Sequence, residues 1–99
     1  MDMNHLALEI HEWANEVHPE RTDASMFFKL YGEIAELIES GDDCADEIAD
    51  VLIMLLDYAK RKGVNPSAAV QNKMNVNRLR QWRINQLGVM SHVHEEPLR

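Results

Sequence analysis

KLYGEIAELIESGDDCADEIADVLIMLLD, residues 29–57, is the stretch on which the reading of this chain turns. Four acids stand in it as two spaced pairs, Glu33 with Glu36 and Glu47 with Asp50, on either side of a short break at Ser40-Gly41-Asp42-Asp43. Each pair has helical spacing, and at about 1.5 Å rise per residue its members sit roughly 4.5 Å apart along a helix axis. Two helices joined by such a break form an antiparallel hairpin, in which residues equidistant from the centre lie opposite one another. Glu36 is thereby predicted to face Glu47, and Glu33 to face Asp50, giving a box of four carboxylates. Like charges so close repel and raise one another's pKa, so the box makes sense chiefly when divalent cations fill it. Oxygen-only ligands suit Mg²⁺ or Mn²⁺, and the Glu-x-x-His motif of a di-iron bundle is absent. A single ExxE is more often a solvated filler with a capping or dipole role; the mirrored second pair is what favours a metal site.

Outward from the break, the preceding segment carries Phe27, Leu30, Tyr31, Ile34, Leu37 and Ile38 as an apolar stripe, which Glu33 and Glu36 flank rather than oppose. The acids are therefore expected at a cleft beside the core, with Tyr31 in the core. Thr22 or Asp23 is the expected cap of this helix, and Asp42 or Asp43 that of the next. The following helix is predicted from about Ala45 to Lys62, closed by Lys60, Arg61, Lys62 and Gly63. Its apolar positions are wide enough for burial on more than one side, in a four-helix bundle or under a second copy of the chain. Asp57 continues the face of Asp50 and could support the ligands from behind, although a surface acid is the simpler reading.

The chain has 99 residues, room for one core, and with 45% hydrophobic residues, four Gly and three Pro it reads as an all-α domain. A formal net charge of −7 disfavours a broad nucleic-acid or membrane surface, and an anionic ligand would need metal ions as a bridge. The lone Cys44 has no internal partner, which fits a reducing, cytoplasmic setting. The first residues lack a secretory pattern, and the apolar run Val51–Leu56 is far below the ~20 residues that cross a bilayer.

The first segment shows Leu6, Ile10, Trp13, Ala14 and Val17 as one helical stripe ending before Pro19. Trp13, Trp82 and Tyr31 each offer an aromatic face for a base, although core packing is the commoner use; Trp13 stays open because His11 and Asn15 near it could bond a base edge. A fourth helix is predicted from Asn65-Pro66 to about Trp82, with Lys73, Asn77 and Arg80 on one face, a polar stripe able to hold phosphate oxygens. Residues 1–85 are taken as a single domain and residues 86–99 as a tail, irregular from Arg83 onward, whose His92, Val93, His94, Glu95 and Glu96 suggest at most a weak transition-metal site.

Three ordered motifs, Lys29-Leu-Tyr-Gly-Glu33-Ile-Ala-Glu36-Leu, then Asp46-Glu47-Ile-Ala-Asp50-Val, then Lys73-Met-Asn-Val-Asn77-Arg-Leu-Arg80-Gln-Trp82, resemble the MazG-like all-α nucleoside triphosphate pyrophosphohydrolases. The likeness spans residues 26–82. It departs at Gly32, where many members carry the first Glu of EExxE. The stretches WANEVHPERT and GVMSHV resemble more narrowly the small, often phage-encoded dATP/dGTP diphosphohydrolase branch.

The resemblance implies hydrolysis of a purine (deoxy)nucleoside triphosphate, dGTP, GTP or dATP, to the monophosphate and pyrophosphate. It implies that Glu33, Glu36, Glu47 and Asp50 hold two or three Mg²⁺ or Mn²⁺ ions, which activate a water for attack on the α-phosphorus. Glu36 takes the water's proton in this scheme, Lys73, Asn77 and Arg80 hold the phosphates, and Trp13 and Asn15 contact the base. It further implies a homodimer or homotetramer acting in the cytoplasm, that of a host cell for a phage protein. Two other readings stand beside it: a pyrimidine triphosphate as substrate, and a non-catalytic helical interaction module, for which Gly32 is the feature in favour.

Overall fold

A computed structural model describes residues 2–93. Its helices are α1 (Met3–Val17), α2 (Asp23–Ser40), α3 (Ala45–Arg61) and α4 (Pro66–Leu79), followed by the strands β1 (Trp82–Ile84) and β2 (Met90–His92). Among the described residues no helix is long and apolar enough to cross a membrane.

Local chemistry sets the helix ends. The Asp2 carboxylate accepts from His5 N at 2.8 Å and caps α1. Thr22 caps α2 reciprocally: Ser25 N donates to Thr22 Oγ1 at 3.1 Å and Thr22 N to Ser25 Oγ at 2.9 Å. Gly41, at φ 64°, ends α2 in a conformation that costs a Cβ-bearing residue energy. The cap of α3 differs from expectation, since Cys44 and not Asp42 or Asp43 holds that position, without a side-chain bond. Asp46 and Glu47 in the first turn, with Lys60 and Arg61 in the last, complement the α3 dipole instead. Asn65 Oδ1 accepts from Ala68 N at 2.9 Å at the start of α4, as the Asn-Pro pair foretold.

Contacts divide the chain into two units, residues 1–69 and 70–99, with the division falling inside α4. In the first unit α3 is central and packs on both α1 and α2, while among the described residues no Cα atom of α1 comes within 8 Å of one in α2. A cleft is thereby left between them, floored by α3. Ala7 and Ala14, both buried, let α1 lie close, and Met26 and Leu56 complete a small core.

The orientation of α2 departs from the sequence reading. Its buried residues are Met26 and Glu33, while Tyr31 is 76% and Ile38 77% exposed. The helix turns Glu33 inward, leaves Glu36 exposed and turns much of its apolar stripe outward, so Tyr31 is not a core residue of the single chain. Asp57 is likewise no surface acid: it is buried, and Arg21 donates to it through Nε and Nη2 at 2.9 and 2.8 Å.

In the second unit α4 stops at Leu79 rather than near Trp82, and the segment expected to be irregular forms an antiparallel hairpin pairing Trp82 with His92, Arg83 with Ser91 and Ile84 with Met90. Asn85 Oδ1 accepts from both Leu87 N and Val89 N at 2.9 Å, fixing the turn, and Gly88 supplies its positive φ of 78°. Four helices are present as expected; the hairpin is the addition to an all-α reading. His94, Glu95 and Glu96 lie outside the described residues.

Candidate metal and nucleotide site

Glu33 and Glu36 stand one turn apart on α2, and Asp50 meets them from α3. One carboxylate oxygen of each lies within 4.8 Å of the others, close enough to share a cation. The expected pairing of Glu33 with Asp50 across the hairpin holds. Glu47 lies outside this trio, although its negative charge is among those that raise Asp50.

Glu33 is the anchor. It is only 5% exposed, its Oε1 accepts from Lys29 Nζ at 2.8 Å, and its buried Oε2 has no hydrogen-bond partner. A buried carboxylate oxygen without a partner is costly, and a divalent cation is the partner that an all-carboxylate donor set fits. The Lys29 hydrogen bond holds Glu33 below the usual carboxylate range. The resulting negative charge pushes Glu36 up, while loss of hydration and then the same Glu33 charge raise Asp50. The trio thus combines one firmly ionised carboxylate with two that resist further negative charge, a field that attracts cations.

Glu33 and Asp50 of the trio line the cleft between α1 and α2, a space of about 620 Å³ whose wall also includes Glu9, Ile10 and Trp13 of α1, Lys29 of α2, and Ile53 and Met54 of α3. A neighbouring hollow of about 310 Å³ shares Trp13, Lys29, Ile53 and Met54 and reaches Arg21 and Asp57. Carboxylates at one part of the cleft and a 57% exposed indole at another suit a ligand with an anionic, metal-binding end and a flat apolar end.

Trp13 and Asn15 do not share this space. Two residues apart on a helix, they point about 200° from each other. Asn15 Oδ1 accepts from Arg21 Nη1 at 2.8 Å, and His11 Nδ1 lies 2.8 Å from Asp57 Oδ1. The polar side of α1 is therefore tied to the Arg21–Asp57 pair by hydrogen bonds, whereas Trp13 lines the cleft and the hollow that reaches that pair.

Lys73, Asn77 and Arg80 belong to the second unit. Lys73 is exposed on α4, whereas Arg80 lies just past the helix end, where its backbone N donates to Asn77 O at 3.3 Å. The same carbonyl accepts from Trp82 Nε1 at 2.8 Å, and Asn77 Oδ1 is buried without a partner.

Lys29, Arg21 and Glu9 were not singled out by the sequence reading. For Lys29 a signal existed in its position four residues before Glu33; for Arg21 the partner is 36 residues away and no spacing rule connects them.

No family model matches the chain. Among curated proteins it is similar to the dATP/dGTP diphosphohydrolase of cyanophage S-2L, 40% identical over 90 residues, which cover 89% of this chain and 85% of that protein. It is also 41% identical over 81 residues to the dATP/dGTP diphosphohydrolase of Salmonella phage PMBT28; that match covers 82% of this chain but spans only 28% of the longer relative. Among solved structures it matches the cyanophage S-2L MazG-like pyrophosphohydrolase bound to dGDP and three catalytic Mn²⁺ ions per active site. That match has a TM-score of 0.85 and 37% identity, and covers 95% of this chain and 99% of the other.

Proposed function

Since the chain belongs to the phage dATP/dGTP diphosphohydrolases of MazG-like type, we propose that it hydrolyses a purine deoxynucleoside triphosphate, dGTP or dATP, to the monophosphate and pyrophosphate. The observation that carries the reading is Glu33: a buried carboxylate with one unpartnered oxygen, joined by Glu36 and Asp50, at the edge of a cleft that also holds Trp13.

Glu33, Glu36 and Asp50 hold the divalent ions in this scheme, with Glu47 alongside. When bound, Mg²⁺ or Mn²⁺ supplies the positive charge that the phosphates need and makes a water acidic enough to attack the α-phosphorus. Glu36, exposed on α2 beside the other two carboxylates, accepts the proton. Trp13 stacks on the base, and Ile53 and Met54 of α3 exclude water beside it. Asn15 acts behind this surface by holding Arg21. Lys73, Asn77 and Arg80 are assigned to the phosphates on their chemistry, two cations and an amide.

The exposed Tyr31 and Ile38, with Leu52 and Leu55 of α3 also about half exposed, support a homodimer or homotetramer in which a second copy covers these residues. Light scattering of the purified chain measures this directly.

Pyrophosphate release from dGTP, dATP, dCTP and dUTP, each with Mg²⁺ or Mn²⁺, tests the activity. Release from a purine that is lost on Glu36→Gln supports the proposal. Faster release from dUTP or dCTP moves the substrate to the pyrimidines, and no release from any nucleotide leaves the interaction-module reading.

A further inference from the structure

Lys29 is the one cation bonded to the acid trio among the described residues. Its Nζ lies 2.8 Å from Glu33 Oε1, on a side chain 66% exposed against 7% for that of Glu33. Because Glu33 shares the cluster with Glu36 and Asp50, the ammonium sits beside the whole trio. It lines both the cleft and the adjoining hollow.

We propose that Lys29 is a placeholder cation, which neutralises Glu33 while the site is free of metal and is exchanged for the incoming divalent ion. This rests on the trio being the metal site and adds a role for Lys29 at it: a fixed competitor that sets how readily metal enters. Three features carry it. Without a cation the trio places three carboxylates together with one oxygen buried and unpartnered, and Lys29 is the local charge that offsets this. Its mostly exposed, flexible stem lets the ammonium leave Glu33 for water at little cost, which a buried guanidinium such as that of Arg21 could not do. The bond engages Oε1 alone, so Oε2 remains available for an entering ion before Lys29 has left.

A unit charge about 5 Å from a divalent ion in water changes its affinity by on the order of tenfold. The test is Mn²⁺ binding to the full chain without nucleotide, followed by electron paramagnetic resonance at low salt, for Lys29→Met, Lys29→Arg, Lys60→Met and the unaltered protein. Lys29→Met is expected to bind Mn²⁺ about tenfold more tightly. Lys29→Arg, whose fork can engage both Glu33 oxygens, is expected to bind it more weakly than the unaltered chain. Lys60→Met removes the same charge at the far end of α3 and is expected to leave binding unchanged. Equal affinities for Met, Lys and Arg at position 29, or a gain in Lys60→Met equal to that in Lys29→Met, overturn the placeholder. Failure of the unaltered chain to bind Mn²⁺ overturns the metal reading of the trio and the placeholder with it. Nucleotide turnover enters none of these outcomes, and Lys29→Arg keeps the ion pair should Lys29→Met not fold.

Discussion

Arg21 and Asp57 form a two-pronged ion pair, Nε to Oδ2 at 2.9 Å and Nη2 to Oδ1 at 2.8 Å, with both side chains at least nine-tenths buried. The pair joins the α1–α2 connection to the middle helix, and Arg21 Nη1 extends it to Asn15 Oδ1 and the His18 carbonyl at 2.8 and 3.2 Å. With so few large side chains fully buried in the single chain, this link holds α1 at the distance that defines the cleft. Removing one member strands the other charge away from water, so Asp57→Ala is expected to destabilise the fold by about 3–5 kcal/mol. Replacing both, as Arg21→Met with Asp57→Leu, should recover most of that loss, because an apolar pair leaves no buried charge. Urea denaturation of Arg21→Met, of Asp57→Leu and of the double variant gives the coupling.

How much of this was legible in the sequence follows from the range of each interaction. Glu33, Glu36 and Asp50 were readable because helical spacing and the symmetry of a short hairpin are local rules. Asp57 was not, because its partner lies across a loop and a helix. An acid directly after Leu55-Leu56 in an apolar stretch was the available signal, and it calls for a buried counter-charge that spacing alone cannot locate. Tyr31 and Ile38 were misplaced for a different reason. An apolar stripe shows that a face seeks cover, without saying whether the cover is the chain's own core or another surface. The hairpin at 82–92 was missed because its strands are three residues each, too short to show alternation, although Asn85 and Gly88 mark its turn.

Glu33→Gln separates a metal-binding role from a structural one. It keeps the shape of the side chain and removes the charge whose Oε2 is buried without a partner. Metal-free thermal stability is expected to hold or rise, whereas Mn²⁺ affinity should fall by at least on the order of tenfold. For the unaltered chain, Mn²⁺ at about 100 times its Kd should add about 2.7 kcal/mol of stability, and that gain should vanish in the variant. A calorimetric scan with and without Mn²⁺ reads both effects.

Asp23 accepts from Lys62 and from Arg61, whose hydrogen bonds hold its carboxyl below the ordinary range. A carboxyl lowered in the folded state contributes stability that is fully present above its ordinary value of 3.8 and is lost as pH falls through the folded value. Asp23→Asn is therefore expected to melt slightly below the unaltered chain at neutral pH, and to converge with it as acid protonates Asp23. At about 1 M salt, where the screening length is about 3 Å, the neutral-pH gap should shrink, since the pair is exposed. Melting curves across pH at two salt concentrations check the sign.

Gly32 stands inside α2, and a Cβ built there meets nothing within 4 Å. Gly32→Ala is expected to stabilise the chain by about 0.5–1 kcal/mol through the lower flexibility of the unfolded state. Because the site around it is open, the absence of the Glu that many family members carry has no steric cause within the chain. Gly32→Glu should therefore fold, and Mn²⁺ titration shows whether the added carboxylate enters the metal count or stays in solvent.

Trp13 lines both the cleft and the adjoining hollow, more than half exposed, and takes no part in the hydrogen bonds of the Arg21–Asp57 link. Its removal should therefore spare the scaffold and fall on the base. Stacking of a base on an aromatic side chain contributes about 1–3 kcal/mol, so Trp13→Ala should weaken nucleotide binding by roughly that amount. Trp13→Phe should restore most of it, because a smaller ring still offers a π face. The carboxylates are untouched, so Mn²⁺ affinity should stay constant and KM should rise more than kcat falls. The same indole supplies a direct readout: nucleotide should quench fluorescence in Trp82→Phe, where Trp13 is the remaining tryptophan, and should leave Trp13→Phe dark to binding. Quenching that persists in Trp13→Phe and disappears in Trp82→Phe would transfer the base to Trp82.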